Sequence, residues 1–176
     1  MLKNRSALIS FYAGKGVDNQ SRSFNEILNW NYDLLESVHD FIQWLFPLDV
    51  PSAYNWNAPV LTKEDIDTFR NSPELRGNVL KAFMLMLEFY GFVLKEGQVV
   101  KSDRFQERAK NWLNCGNHNM LRITRILKSL SLLGMNDYAI IFFAALKSVY
   151  EDHPDLIGNS YRYWKNAMVF EPSSCL

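Results

Sequence analysis

Two groups of polar residues in this 176-residue sequence are spaced so that they can do chemistry together. The first is His118, Arg122, Arg125 and Ser129. At about 100° per residue these fall on one narrow strip of a helix, beside its apolar face. The start of that helix, at Asn117, exposes free amide groups and the positive end of the helix dipole, both of which favour anions. Three readings fit the strip: a pocket for a carboxylate or phosphate, an internal ion pair to Asp40 or Glu36, or a solvated basic flank. The second group is His39 with Asp40, followed by Gln43 and Trp44. Imidazole titrates near neutrality and suits acid–base work. Neighbouring helical residues point about 100° apart, so His39 and Asp40 do not form a dyad with each other. The competing reading of His39 is a partly buried ring hydrogen-bonded to backbone. The candidate ligand-binding set is therefore His39, Asp40, Gln43, Trp44, Asn117, His118, Arg122 and Arg125, with no catalytic residue assigned. A partly buried Asp40 needs a cation, and Arg125 or Arg122 is expected to supply it.

Other chemistries find little support. His39, His118, His153, Cys115 and Cys175 show no paired metal-ligand spacing. Gly14-Lys15-Gly16 lacks the rest of a phosphate loop, and neither a nucleophile elbow nor a dinucleotide fingerprint occurs. No metal or cofactor is expected, and binding is favoured over catalysis. Nineteen basic residues balance nineteen acidic ones, which argues against nucleic-acid or membrane binding driven by net charge. Two cysteines make no disulfide framework and fit a reducing cytoplasm. The apolar residues after Lys3 and Arg5 are interrupted by Ser10 and Gly14, so no leader is expected. The longest apolar run, Ala139 to Leu146, is too short to span a bilayer.

These groups need elements to hold them. Hydrophobic content of 48% fits one folded domain with a sizeable core. From Asp33 to Leu48, apolar residues Leu34, Leu35, Val38, Phe41, Ile42 and Leu45 recur with helical period, which predicts one central helix capped by Asp33 and stopped by Pro47. Around it, helices are predicted at 4–13, at 24–30 and from Thr62 to Asn71, with Thr62 and Asp65 as a capping box. The next runs from Ser72–Pro73 to Tyr90 and stops at Gly91. Met84 and Met86 read as core filler there. A small hairpin turning at Gly97 is predicted over 92–100. Asp103 is expected to cap a helix to Leu113. The strip helix runs from Asn117 to Gly134, with Met120, Ile123, Ile126, Leu127, Leu130 and Leu133 buried. Asn136 caps a long helix whose stretch Tyr138–Leu146 reads as buried on every side. A last helix covers 160–167, and a frayed tail follows from 171. The proline-rich, aromatic loop 49–61, with Tyr54 and Trp56, is expected to pack down over the core.

His39-Asp40-Phe41-Ile42-Gln43-Trp44-Leu45-Phe46-Pro47-Leu48, Asn57-Ala58-Pro59-Val60-Leu61-Thr62 and the Leu121-Arg122-Ile123-Thr124-Arg125-Ile126-Leu127 run resemble the opioid growth factor receptor conserved region. The resemblance extends from about Phe11 to Leu133 and places residues 1–170 in one all-α domain. It implies a regulatory binding module for a short peptide or protein segment. Animal members of the family bind methionine-enkephalin, restrain proliferation and are nuclear or at the nuclear envelope. The family's peptide-binding residues do not map onto particular positions here. A small-anion binder or enzyme using His39, Asp40, His118, Arg122 and Arg125 is the alternative.

Overall fold

Local capping rules account for most of the boundaries in the computed structural model, which describes residues 6–53 and 55–168. Ser6 accepts from the Ile9 N–H to start α1 (Ala7–Tyr12), and Ser23 with Glu26 closes a reciprocal capping box on α2 (Phe24–Leu28). Thr62 and Asp65 do the same for α5 (Lys63–Asn71). Ser72 caps α6 (Pro73–Tyr90), whose first residue is proline and whose end is fixed by Gly91 at φ +88°. The hairpin follows, β1 (Phe92–Lys95) antiparallel to β2 (Gln98–Lys101), with Phe92 opposite Lys101. Helices α7 (Phe105–Trp112), α8 (Asn119–Leu132), α9 (Asn136–Asp152), α10 (Pro154–Ile157) and α11 (Ser160–Ala167) come next. The fold is mostly α with one small hairpin, as the periodicity predicts.

The central helix predicted from Asp33 is not there. The stretch holds two short helices, α3 (Tyr32–Ser37), capped by Asn31 rather than Asp33, and α4 (Ile42–Leu45), separated by an extended Val38 at φ −89°, ψ 131°. The central positions belong to α6, which packs against α1, α2, α5, α7 and β1, and to α8, which packs against α9 and α11. Indole N–H groups tie the layers together: Trp112 donates to the Tyr90 carbonyl at 2.9 Å and Trp164 to the Met120 carbonyl at 3.1 Å. Arg70 closes the far end by donating to Leu132 O at 3.0 Å.

Four smaller expectations also fail. Met84 lies on the outer face of α6, 44% exposed, while Met86 is core. Helix α9 buries one face only, through Ala139, Phe142, Leu146 and Val149, and leaves Ile140 in solvent. Neither Asp103 nor Asn136 caps; Arg104 and Met135 hold those positions without side-chain bonds. In the 49–61 loop, Leu61 and Ser52 pack down, yet Trp56 is 91% exposed. The loop is closed at its base by a parallel bridge between Leu48 and Val60, not by Trp56. Tyr54, Cys175 and the tail from 171 lie outside the described residues.

Candidate functional site

The carbonyls of the 35–47 stretch explain both the broken helix and the polar strip. In a continuous helix Leu35 O and Val38 O would accept from the amides four residues on. Here Arg122 takes both, Nη1 donating to Leu35 O and Nη2 to Val38 O, each at 2.8 Å. Farther along, the Tyr12 hydroxyl donates to Leu45 O, Arg125 Nη1 to Phe46 O at 3.2 Å, and Ser129 Oγ to Pro47 O at 2.8 Å. The strip Arg122–Arg125–Ser129 is therefore a row of donors holding another segment's backbone. Arg122 also donates to Asn119 Oδ1 at 3.2 Å, and Asn119 Nδ2 donates to Glu36. Its Nη2 lies 3.1 Å from His39 Nδ1. A guanidinium only donates, so His39 Nδ1 accepts and the neutral ring carries its proton on Nε2. Burial pulls both Arg122 and Arg125 below the usual arginine range. It pushes the Tyr12 hydroxyl well above its own.

Asp40 has a different partner from the one expected. Its Oδ1 is 2.9 Å from Arg22 Nη2, and Arg22 in turn donates to the buried Asp18 at 2.6 Å. The extended backbone at Val38 breaks the helical direction on which the Arg122 or Arg125 pairing depended, and Asp40 falls to the loop that carries Asp18 and Arg22. Trp44 is buried and packs edge-on to Phe11. With Asp40 it lines a separate hollow with Asn19, Gln20, Asn55 and Asn57. Asn117 organises the turn before α8: its Oδ1 accepts from Asn119 N–H and its amide donates to Asn111 O, both at 2.9 Å. The helix itself begins at Asn119, with His118 as the capping residue.

The other five candidates, His39, Gln43, His118, Arg122 and Arg125, do meet. They line a groove of about 400 Å³ between the 39–52 stretch and α8. Its apolar surface comes from Ile42, Leu48 and Leu121, and Lys128 stands at one side. Gln43 is only 6% exposed, and its Oε1 is buried without a hydrogen-bond partner. Among the described residues no carboxylate pairs with Arg125, whose one hydrogen bond goes to Phe46 O. Lys128 sits 3.6 Å from Asp49, long for a charge-assisted bond. Leu121, Leu48 and Lys128 escaped the sequence reading. The available signal was Leu121, an apolar side chain lying off the buried face and beside the arginine strip. Among the described residues no three His, Cys, Asp or Glu side chains gather as a metal site.

His39 and His118 meet edge to face, ring centroids 5.0 Å apart. His118 Nε2 is 3.3 Å from Glu36 Oε1, but it is shielded and lies off hydrogen-bonding geometry. Burial, then the charge of Arg122, hold the His118 imidazole below its usual 6.5, with Glu36 opposing. The unfolded chain therefore binds the proton more readily than the folded one. Stability from this group is complete above about pH 6.5 and is lost as pH falls through the lowered folded value. We expect His118→Gln to flatten the fall in urea midpoint between about pH 7 and 5. An unchanged slope would assign that fall to other groups.

The fold and groove define a mostly helical domain in which one helix clamps the backbone of a neighbouring segment and leaves a half-polar groove beside it. The chain belongs to the opioid growth factor receptor (OGFr) conserved region family, whose model matches residues 3–172. It is similar to the opioid growth factor receptor of Rattus norvegicus, 50% identical over 115 residues covering 62% of this chain and 20% of the relative. The Homo sapiens receptor is 47% identical over 115 residues, 62% of this chain and 17% of the relative. Opioid growth factor receptor-like protein 1 of Mus musculus is 44% identical over 118 residues, 64% of this chain and 25% of the relative. The chain thus spans a quarter or less of the length of these curated relatives. No solved structure matches. Among the described residues no helix is long and apolar enough to cross a membrane.

Proposed function

We propose that this domain, residues 1–170, is a binding module that receives a short peptide or protein segment in the groove between the His39–Gln43 turn and α8, without catalysing a reaction on it. One observation carries this reading: the buried, unpaired Gln43 Oε1 in a groove whose apolar surface comes from Ile42, Leu48 and Leu121. An acceptor left unpaired costs about 1–3 kcal/mol, which a donor brought by a ligand recovers. A groove of about 400 Å³ is within the usual range for ligand sites, about 300–1,000 Å³. The relatives' names make them receptors, and a receptor role for this chain is part of the same proposal. The alternative of an enzyme or small-anion site has less behind it. Asp40 is bonded to Arg22, away from His118, and Arg122 already has four acceptors. A cytoplasmic setting accords with the exposed, free Cys115.

The test is a titration of the isotope-labelled protein with short N-acetylated apolar peptides, followed through its amide NMR spectrum. Shifts centred on Gln43, Leu121 and Arg125 are the expected result. Shifts confined to other faces, or robust turnover of ester or phosphate substrates that His39→Ala abolishes without unfolding, would overturn it.

A further inference from the structure

The groove contains one group that calls for an N–H donor and two that call for an anion. Gln43 Oε1 is a buried acceptor with nothing donating to it. Arg125 is half-buried, has a single carbonyl as partner, and meets no carboxylate among the described residues. Lys128 is held only loosely by Asp49. Arg122 does not count towards a ligand, because its guanidinium is committed to Leu35, Val38, Asn119 and His39. Between these polar groups lie Ile42, Leu48 and the half-exposed Leu121.

We propose that the groove selects the free C-terminus of a peptide, with the terminal carboxylate at Arg125 and Lys128, the last amide N–H on Gln43 Oε1, and an apolar last side chain against Ile42, Leu48 and Leu121. This rests on the binding-module reading above and names the ligand chemistry. A terminal residue carries N–H, side chain and carboxylate on one Cα, so it meets all three demands in a small space. An internal Asp or Glu gives its side chain to the cations and needs a neighbour to cover the apolar surface. The groove, about 400 Å³, lies near the lower end of ligand-site volumes and favours the compact solution. An inorganic anion fits poorly, since its oxygens would face the Gln43 acceptor and leave the apolar wall wet. Arg125 suits the carboxylate because its planar fork can donate two parallel bonds, and partial burial strengthens them. Capture of a peptide terminus by fixed polar groups is an established mode of recognition.

The experiment compares three probes by amide NMR and calorimetry: acetyl-Ala-Leu-Leu with a free acid, the same peptide as its C-terminal amide, and acetyl-Ala-Leu-Asp as an amide. We expect the free acid to shift Gln43, Leu121 and Arg125 and to bind about tenfold or more tightly than its amide, the usual weight of a hydrogen bond to a charged group. Methylating the last amide nitrogen should weaken it further. Lys128→Gln and added salt should each reduce the acid preference, Arg125→Gln should abolish it, and Arg125→Lys should keep only part of it, since an ammonium keeps the charge but cannot make two parallel bonds. Because Arg125 also holds Phe46 O, the Lys128 variant and the salt series carry the test if Arg125→Gln unfolds. Equal binding of acid and amide at the same residues would overturn the C-terminus and leave the binding module standing. Tighter binding of the Asp amide would overturn it in favour of an internal acidic segment. No groove shift with any of the three would overturn both.

Discussion

Arg122→Ala should destabilise the protein by about 3–5 kcal/mol, the size seen when a buried charged network loses its central member. Arg122 is 5% exposed, and its two terminal nitrogens serve Leu35 O, Val38 O, Asn119 Oδ1 and His39 Nδ1. Its guanidinium also lies 5.4 Å from the Phe41 ring. Alanine would leave two main-chain carbonyls inside the protein with no donor, at about 1–3 kcal/mol each. Arg122→Lys should recover little, since a single ammonium cannot present a planar pair of donors to two carbonyls. The measurement is urea denaturation with a double-mutant cycle. Asp40→Ala should add to Arg122→Ala within about 0.5 kcal/mol, because Asp40 is bonded to Arg22 instead. A loss below about 1 kcal/mol for Arg122→Ala would mean that solvent replaces these bonds and that the backbone clamp is not what holds the 35–47 stretch.

That clamp joins residues far apart in the chain, which local sequence patterns do not report. Periodicity reports a face, and of the face it marks over 33–48, Leu35, Phe41, Ile42 and Leu45 are all buried. It does not report which donors will meet the carbonyls. Arg122 lies 84 residues from Val38, and nothing local to Val38 announces that its carbonyl will leave the helical ladder. The same blindness affected the strip on α8. His118, Arg122, Arg125 and Ser129 were legible as one line of polar groups, but a line of donors looks alike whether it meets a ligand or another segment's backbone. Where the governing contacts are local, the sequence predicts them. Thr62 with Asp65, Ser72 with Pro73, and the stop at Gly91 each act within a few residues, and each falls where expected. The groove lies between these cases. Gln43, His39, His118, Arg122 and Arg125 line it, whereas Asp40 and Trp44 face the hollow beside Asn19 and Gln20. Ile140 shows the limit for apolar residues: a run without polar interruption gives no direction, and α9 turned one side of it to water.

Gly91→Ala should cost about 3 kcal/mol, and the reason is distance as well as dihedral angle. Gly91 ends α6 at φ +88°, where a residue with a side chain is disfavoured by roughly 1–2 kcal/mol. A Cβ there would stand 2.8 Å from Phe105 Cα and 3.0 Å from Arg108 Cβ. The first neighbour is backbone, so α7 itself would have to move, and forcing a packed element aside costs about 1–3 kcal/mol. That displacement would strain the bonds that dock α7 on α6: Arg108 Nε to Phe89 O at 3.0 Å and Trp112 Nε1 to Tyr90 O at 2.9 Å. Gly97→Ala supplies the control. Gly97 has φ +75° at the hairpin turn, but nothing lies within 4 Å of its would-be Cβ, so only the dihedral cost of about 1–2 kcal/mol applies. Urea denaturation of the two variants isolates the close approach, and tryptophan fluorescence reports whether Trp112 has shifted. If both lose the same stability within about 0.5 kcal/mol, α7 has slack at Gly91, and the glycine is required there only by its backbone angle.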